Sequence, residues 1–197
     1  KEVNVRYEIS EWDDISLDYW LSIGVNPTNK IIKPISAYFV RKQTIPKAPS
    51  FVYEFVGENG IEPKIYCPLE SKDFRFRGKV RKNTTLWIKN GSDTLLVSKA
   101  LKDQYVAESP LKNKVDYISP QSEKSWFDFP IIYKTVFILF DNDEVGRARC
   151  VKVADLLKET CEKVFCIFVP EGKDLAEYYS IVGRAETFRY LYFNMFG

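Results

Sequence analysis

The chain has no histidine and only four cysteines, Cys67, Cys150, Cys161 and Cys166, none of them in a Cys-x-x-Cys pair. Zinc ribbons need clustered Cys and His ligands, so this argues against a zinc ribbon within these 197 residues. Cys150 and Cys166 fall in helix-like and strand-like patterns and read as small buried hydrophobes, which suits a reducing, cytoplasmic compartment. No apolar run approaches the roughly 20 residues of a membrane-spanning helix. Neither a signal peptide nor an internal repeat is visible. The first residue is Lys1 rather than Met, as expected of a processed chain or a fragment.

Acidic residues are missing from Tyr19 to Tyr53, where Lys30, Lys33, Arg41, Lys42 and Lys47 all occur. From Lys72 to Asn90, seven basic residues face the single acidic Asp73. The whole chain carries a net charge of only +2, so its positive charge is concentrated in the first half. Local positive fields of this kind suit phosphate backbones, and Arg75, Arg77, Lys79, Arg81 and Lys82 are the candidate contacts. Phe74, Phe76 and Trp87 interleave with these charges and are able to stack on bases. The alternation Phe74-Arg75-Phe76-Arg77 also fits a strand with Phe inward, and core placement is the expectation.

With 45% hydrophobic and 15% aromatic residues, the chain can bury a substantial core, as one unit or two packed subdomains. In the first half, residues 13–23 read as an amphipathic helix, and residues 35–41, 51–56 and 63–69 as strands. In the second half, strand patterns at 94–98, 115–119, 135–140 and 164–169 alternate with helical ones at 99–109, 144–160 and from Asp174 through Ile181. This alternation predicts crossover units and a parallel sheet, hence an α/β fold. The helix from Glu144 is expected to bury Val151, Ala154, Leu156 and Leu157.

The run Phe137-Ile138-Leu139-Phe140 delivers Asp141-Asn142-Asp143 to a turn that opens a helix. Residues i and i+2 of an extended segment point the same way, so Asp141 and Asp143 can converge on one cation. One or two carboxylates plus substrate phosphates is the usual way of holding Mg²⁺. Gly146 allows either a close backbone approach or a positive φ.

Residues 92–183 resemble a Toprim domain. The likeness rests on the Lys102-Asp103 helix start, the DxDxxG of Asp141, Asp143 and Gly146, and the Glu171-Gly172-Lys173-Asp174 that follows the last strand. It is nearest to phage-type primases. The resemblance implies a Rossmann-like parallel sheet flanked by helices over 92–197, with further C-terminal helices. It also implies a smaller basic α+β subdomain over 1–91, supported by Asp18-Tyr19-Trp20, Gly24-Val25 and Lys64-Ile65-Tyr66-Cys67-Pro68-Leu69. In the family the two flank a shallow cleft for template, nucleotides and nascent RNA. The implied activity is metal-dependent synthesis of RNA primers from ribonucleoside triphosphates on single-stranded DNA, in a phage-infected or bacterial cell. Asp141 and Asp143 are the implied Mg²⁺ or Mn²⁺ ligands, with Asp103 and Asp174 close by. Lys99, Lys102, Arg147 and Lys173 are the implied phosphate contacts. A replicative helicase and a zinc-binding template reader are the implied partners, with no role for a membrane.

One departure matters. Four residues before Asp103 the family has a glutamate, and this chain has Lys99. An ammonium cannot ligate a metal. Either the site is degenerate and the chain is a nucleic-acid-binding module, or another carboxylate has taken over. Glu123, after the second strand, is the candidate replacement. A Toprim nuclease, using similar carboxylates for hydrolysis, is the remaining alternative.

Overall fold

The computed structural model describes residues 5–57, 60–78, 86–120 and 130–197. The chain divides into two compact units, Lys1–Ser22 with Asn26–Thr84, and Ile23–Val25 with Thr85–Gly197.

The first unit is α+β. Its strands are β1 (Arg6–Ile9), β2 (Ile32–Phe39), β3 (Gln43–Thr44), β4 (Phe51–Gly57), β5 (Gly60–Tyr66) and β6 (Phe76–Arg77), and its helix is α1 (Asp14–Ser22). The strands pair antiparallel in the order β1-β2-β4-β5-β6, with β3 on β2. The Asp13 carboxylate accepts the Ser16 N–H at 2.7 Å and so caps α1. That helix sinks Trp20, fully buried, among Phe51, Tyr53 and Tyr66. At the sheet edge the expected inward Phe is not found: Phe74 and Phe76 are 54% and 43% exposed. β6 is two residues long and, among the described residues, pairs only with β5, so no described layer covers its outer side.

The second unit is α/β. Its strands are β7 (Leu86–Ile88), β8 (Thr94–Ser98), β9 (Asp116–Ser119), β10 (Thr135–Leu139) and β11 (Lys163–Ile167), and its helices are α2 (Leu101–Leu111), α3 (Glu144–Leu157) and α4 (Leu175–Phe196). The order is β11-β10-β8-β9-β7, all pairs parallel except β7 with β9. The chain leaves β8 through α2 toward β9, and leaves β10 through α3 in the opposite direction along the sheet. Because such crossovers are right-handed, the two helices lie on opposite faces. The direction therefore reverses between β8 and β10, and open parallel sheets bind ligands at such a reversal.

The core face of α3 is Cys150, Val153, Ala154 and Leu157, packed on Leu95, Val97, Ile118, Val136 and Ile138. Val151 and Leu156, expected inside, are exposed. At 100° per residue, Cys150 and Val153 share a stripe with Leu157 that Val151 and Leu156 only flank. Cys166 is only half-buried. α2 buries Leu101, Tyr105 and Val106. α4 continues past Ile181 and is interrupted at Gly183, whose φ of 76° is a left-handed value favouring glycine. Among the described residues no helix is long and apolar enough to cross a membrane.

Candidate metal and phosphate site

The residues after β8, after β10 and before α4 meet at one edge of the second unit's sheet. Ser98 and Leu139 are in register, so Lys99 and Asp141 leave adjacent strands at the point of reversal. The third segment is tied in by the Asn142 N–H, which donates to the Lys173 carbonyl at 2.7 Å, and by Asn142 Nδ2, which donates to the Val169 carbonyl. Asn142, at the centre of the Asp-Asn-Asp triplet, thus fixes the turn. Sequence reasoning passed it over because its partners are backbone atoms distant in the chain.

Asp141 is almost wholly buried, and Asp143 is the N-cap of α3, accepting the Gly146 N–H at 2.8 Å. The Lys173 ammonium lies between the two carboxylates, 3.3 Å from Asp141 Oδ2 and 2.9 Å from Asp143 Oδ2. Lys173, then the Gly146 N–H, hold the Asp143 carboxyl below the usual range. The bond to Asp143, reinforced by Asp141, pushes the Lys173 ammonium up. Lys99 Nζ donates to Asp141 Oδ2 at 2.5 Å.

Asp103 and Asp174 form a second cluster. Lys102 Nζ lies 2.5 Å from Asp174 Oδ2 and 3.9 Å from Asp103 Oδ1. Asp174 caps α4 by accepting the Glu177 N–H at 2.9 Å, and Asp103 accepts the Ala176 N–H at 3.1 Å. Burial, then the charge of Asp174, push the Asp103 carboxyl up to about 7. Burial also works to raise Asp174, but Lys102 outweighs it and the carboxyl sits low.

Arg147 donates to Asn142 Oδ1 at 2.5 Å and stacks over the Phe168 ring. The structure thus brings Lys99, Lys173, Asp141 and Asp143 together, sets Lys102, Asp103 and Asp174 in a neighbouring cluster, and turns Arg147 onto Asn142. Glu123 lies outside the described residues, as do Lys79, Arg81 and Lys82.

Among the described residues no three His, Cys, Asp or Glu side chains converge as a ready-made metal cage. The donor chemistry still fits a Mg²⁺ or Mn²⁺ ion: Asp141 and Asp143 already share one cationic group, the Lys173 ammonium. Mg²⁺ normally takes one or two carboxylates and completes its octahedron with water and phosphate.

In the first unit the Lys64 ammonium lies 4.8 Å above the Phe76 ring and the Arg77 guanidinium 4.3 Å from Phe74. Phe76 in turn stacks on Tyr66. Arg75 is exposed beside them. This makes an open aromatic and cationic patch.

Residues 110–179 match the model of a family termed Toprim-like. No curated protein sequence matches the chain. Among solved structures, the primase fragment of the bacteriophage T7 primase-helicase aligns at a TM-score of 0.57 and 18% identity, over 96% of this chain and 76% of that one. A second similar chain comes from the bacteriophage T7 lagging-strand DNA polymerase interacting with primase domains of two gp4 subunits bound to an RNA/DNA hybrid and dTTP. It aligns at 0.62 and 17% identity, over 99% of this chain and 93% of that one. The DnaG catalytic core aligns at 0.54 and 10% identity, over 95% of this chain and 65% of that one. The chain therefore has the fold of Toprim-type primase catalytic cores, with a Toprim-like segment in its second half.

Proposed function

We propose that this chain is the RNA-polymerase domain of a DNA primase, joining ribonucleotides on a single-stranded DNA template with Mg²⁺ or Mn²⁺. The observation that carries the reading is the pair Asp141 and Asp143 sharing one cation at the strand-order reversal of a primase-type fold. In the reaction the 3′-hydroxyl of one nucleotide bonds to the α-phosphorus of the next and pyrophosphate leaves. A divalent ion at Asp141 and Asp143 supplies charge neutralisation and a more acidic 3′-hydroxyl. Lys173, on a half-exposed stem, is placed to move from these carboxylates to substrate phosphate. Lys99 and Lys102 keep positive charge at the start of α2, whose N-terminal N–H groups also favour anions. Glu123 is proposed as a further carboxylate from the segment that follows β9 in the sequence. Arg75 and Arg77 are proposed to hold template phosphates, with Lys79, Arg81 and Lys82 extending that run.

The T7 fragment belongs to a primase-helicase. By that analogy a helicase completes the assembly, and the resemblance to phage-type primases adds a zinc-binding template reader, each on the same chain or another. A second reading, a nucleic-acid-binding module without catalysis, is favoured by the Lys99–Asp141 ion pair. Incubation with single-stranded DNA, labelled ribonucleotides and Mg²⁺ or Mn²⁺ separates the possibilities. Short RNA products support the primase. Shortened DNA supports a nuclease, and binding with neither product supports the silent module.

A further inference from the structure

We infer that Lys99 and Lys102 stand where a second divalent ion would otherwise bind, so that the site takes a single ion, at Asp141 and Asp143. The inference rests on the metal-dependent reading above and sharpens it.

Two-ion phosphoryl transfer needs two carboxylate-lined positions about 3.5–4 Å apart. The four aspartates here are not equally available. Asp174 has one oxygen on the Glu177 N–H and the other on Lys102, and Asp103 has one on the Ala176 N–H. Both serve to fasten α4. Asp141 is buried, but its partner Asp143 is 43% exposed and the lysine that bridges the two is 51% exposed.

The three lysines differ in the same way. Lys99 and Lys102 are mostly covered, at 28% and 22% exposure, and each makes a 2.5 Å contact with a largely buried carboxylate. Withdrawing either one uncovers a buried charge, which is strongly unfavourable. Lys173 makes longer contacts from an exposed stem and leaves at little cost. Once it leaves, the aspartates among the described residues outnumber the two fixed ammonium groups, and one divalent ion is enough to offset the excess. A second ion would face the fixed charge of Lys99 with no carboxylate at position 99 to receive it.

Mn²⁺ titration of the whole chain, read by calorimetry and electron paramagnetic resonance, tests this without reference to turnover. The expected result is one Mn²⁺ per chain, a spectrum free of Mn–Mn coupling, and loss of binding in Asp141→Asn. Lys99→Glu should admit a second, coupled ion. Lys99→Met should keep one ion and tighten it about tenfold, because a like charge has been removed at short range. If Lys99→Glu does not fold, the wild-type spectrum and Lys99→Met carry the decision. Two coupled ions in the wild type overturn the single-ion inference but leave the metal-dependent reading standing. A folded Lys99→Glu that still takes one ion also overturns the inference. No Mn²⁺ bound by the wild type overturns the metal-dependent reading itself.

Discussion

Gly146 packs so closely on Asp141 that a β-carbon at position 146 would lie 2.2 Å from the Asp141 carbonyl oxygen. The glycine of DxDxxG is therefore a requirement of space, not of a left-handed backbone. The obstruction is backbone, which cannot rotate away as a side chain can. Gly146→Ala should push the first turn of α3 away from the end of β10, at a cost of about 1–3 kcal/mol for overpacking. It should also break the Asp143 cap. Thermal unfolding with a Mn²⁺ titration checks this: a variant with wild-type stability and metal affinity would contradict the contact.

Asp141 and Asp143 should separate in their effects on stability while sharing their effect on activity. Asp141 is nearly buried and faces both Lys99 and Lys173, so Asp141→Asn leaves two ammonium groups short of a counter-charge. A destabilisation of about 2 kcal/mol is expected, between the values for buried and exposed pairs. Asp143 is 43% exposed and Asn is also a good N-cap, so Asp143→Asn should cost under about 1 kcal/mol. Both should abolish metal-dependent synthesis. Urea denaturation beside a primer-synthesis assay distinguishes the two, and synthesis by either variant would remove its aspartate from the metal site.

The apolar run into Asp141 was legible because four consecutive hydrophobes ending in two carboxylates leave few alternatives for a buried strand. The crossover pattern was legible for the same reason, since strand and helix periods differ. The face of α3 was not, because Cys150 and Val153 compete with Val151 and Leu156 on nearly equal hydrophobicity and a rotation of one residue exchanges them. The Lys102–Asp174 pair joins residues 72 apart, and periodicity carries no information at that range. Lys99 was legible only as a departure from a motif. Its partnership with Asp141 needs the β8–β10 register.

Asp116 gives a pH-dependent prediction away from the sheet edge that carries Asp141. At the start of β9 it accepts the N–H groups of Asn90 and Ser92 at 2.8 and 3.1 Å and the Tyr133 hydroxyl at 2.6 Å. Burial opposes its charge, yet these donors, Tyr133 foremost, hold the carboxyl below the usual range. A depressed carboxylate contributes stability that is complete above the ordinary value of about 4 and is lost as pH falls through the lower folded value. Asp116→Asn should therefore cost about 2 kcal/mol at pH 7, as for hydrogen bonds to a charged group. The difference from wild type should shrink below pH ~4, and Mn²⁺ binding should not change. A gap constant from pH 7 to pH 2 would show that the charge of Asp116 contributes nothing.

Phe74 and Phe76 test whether the exposed patch reads single-stranded template. Their exposed rings add little to the core, so Phe74→Ala and Phe76→Ala should each leave the melting temperature within about 2 °C, as for surface changes worth under ~0.5 kcal/mol. Base stacking on an aromatic ring is worth about 1–3 kcal/mol, so each variant should weaken binding to oligothymidylate at least fivefold if its ring is used. Arg75→Glu with Arg77→Glu should act differently. Each phosphate that an arginine no longer neutralises keeps its counterions, so the slope of log affinity against log salt should flatten by roughly 0.7 per such phosphate on a single strand. The phenylalanine variants should bind more weakly at an unchanged slope, because stacking releases no counterions. If all four substitutions leave both affinity and slope unchanged, the template lies elsewhere on the chain and the aromatic and cationic patch has another use.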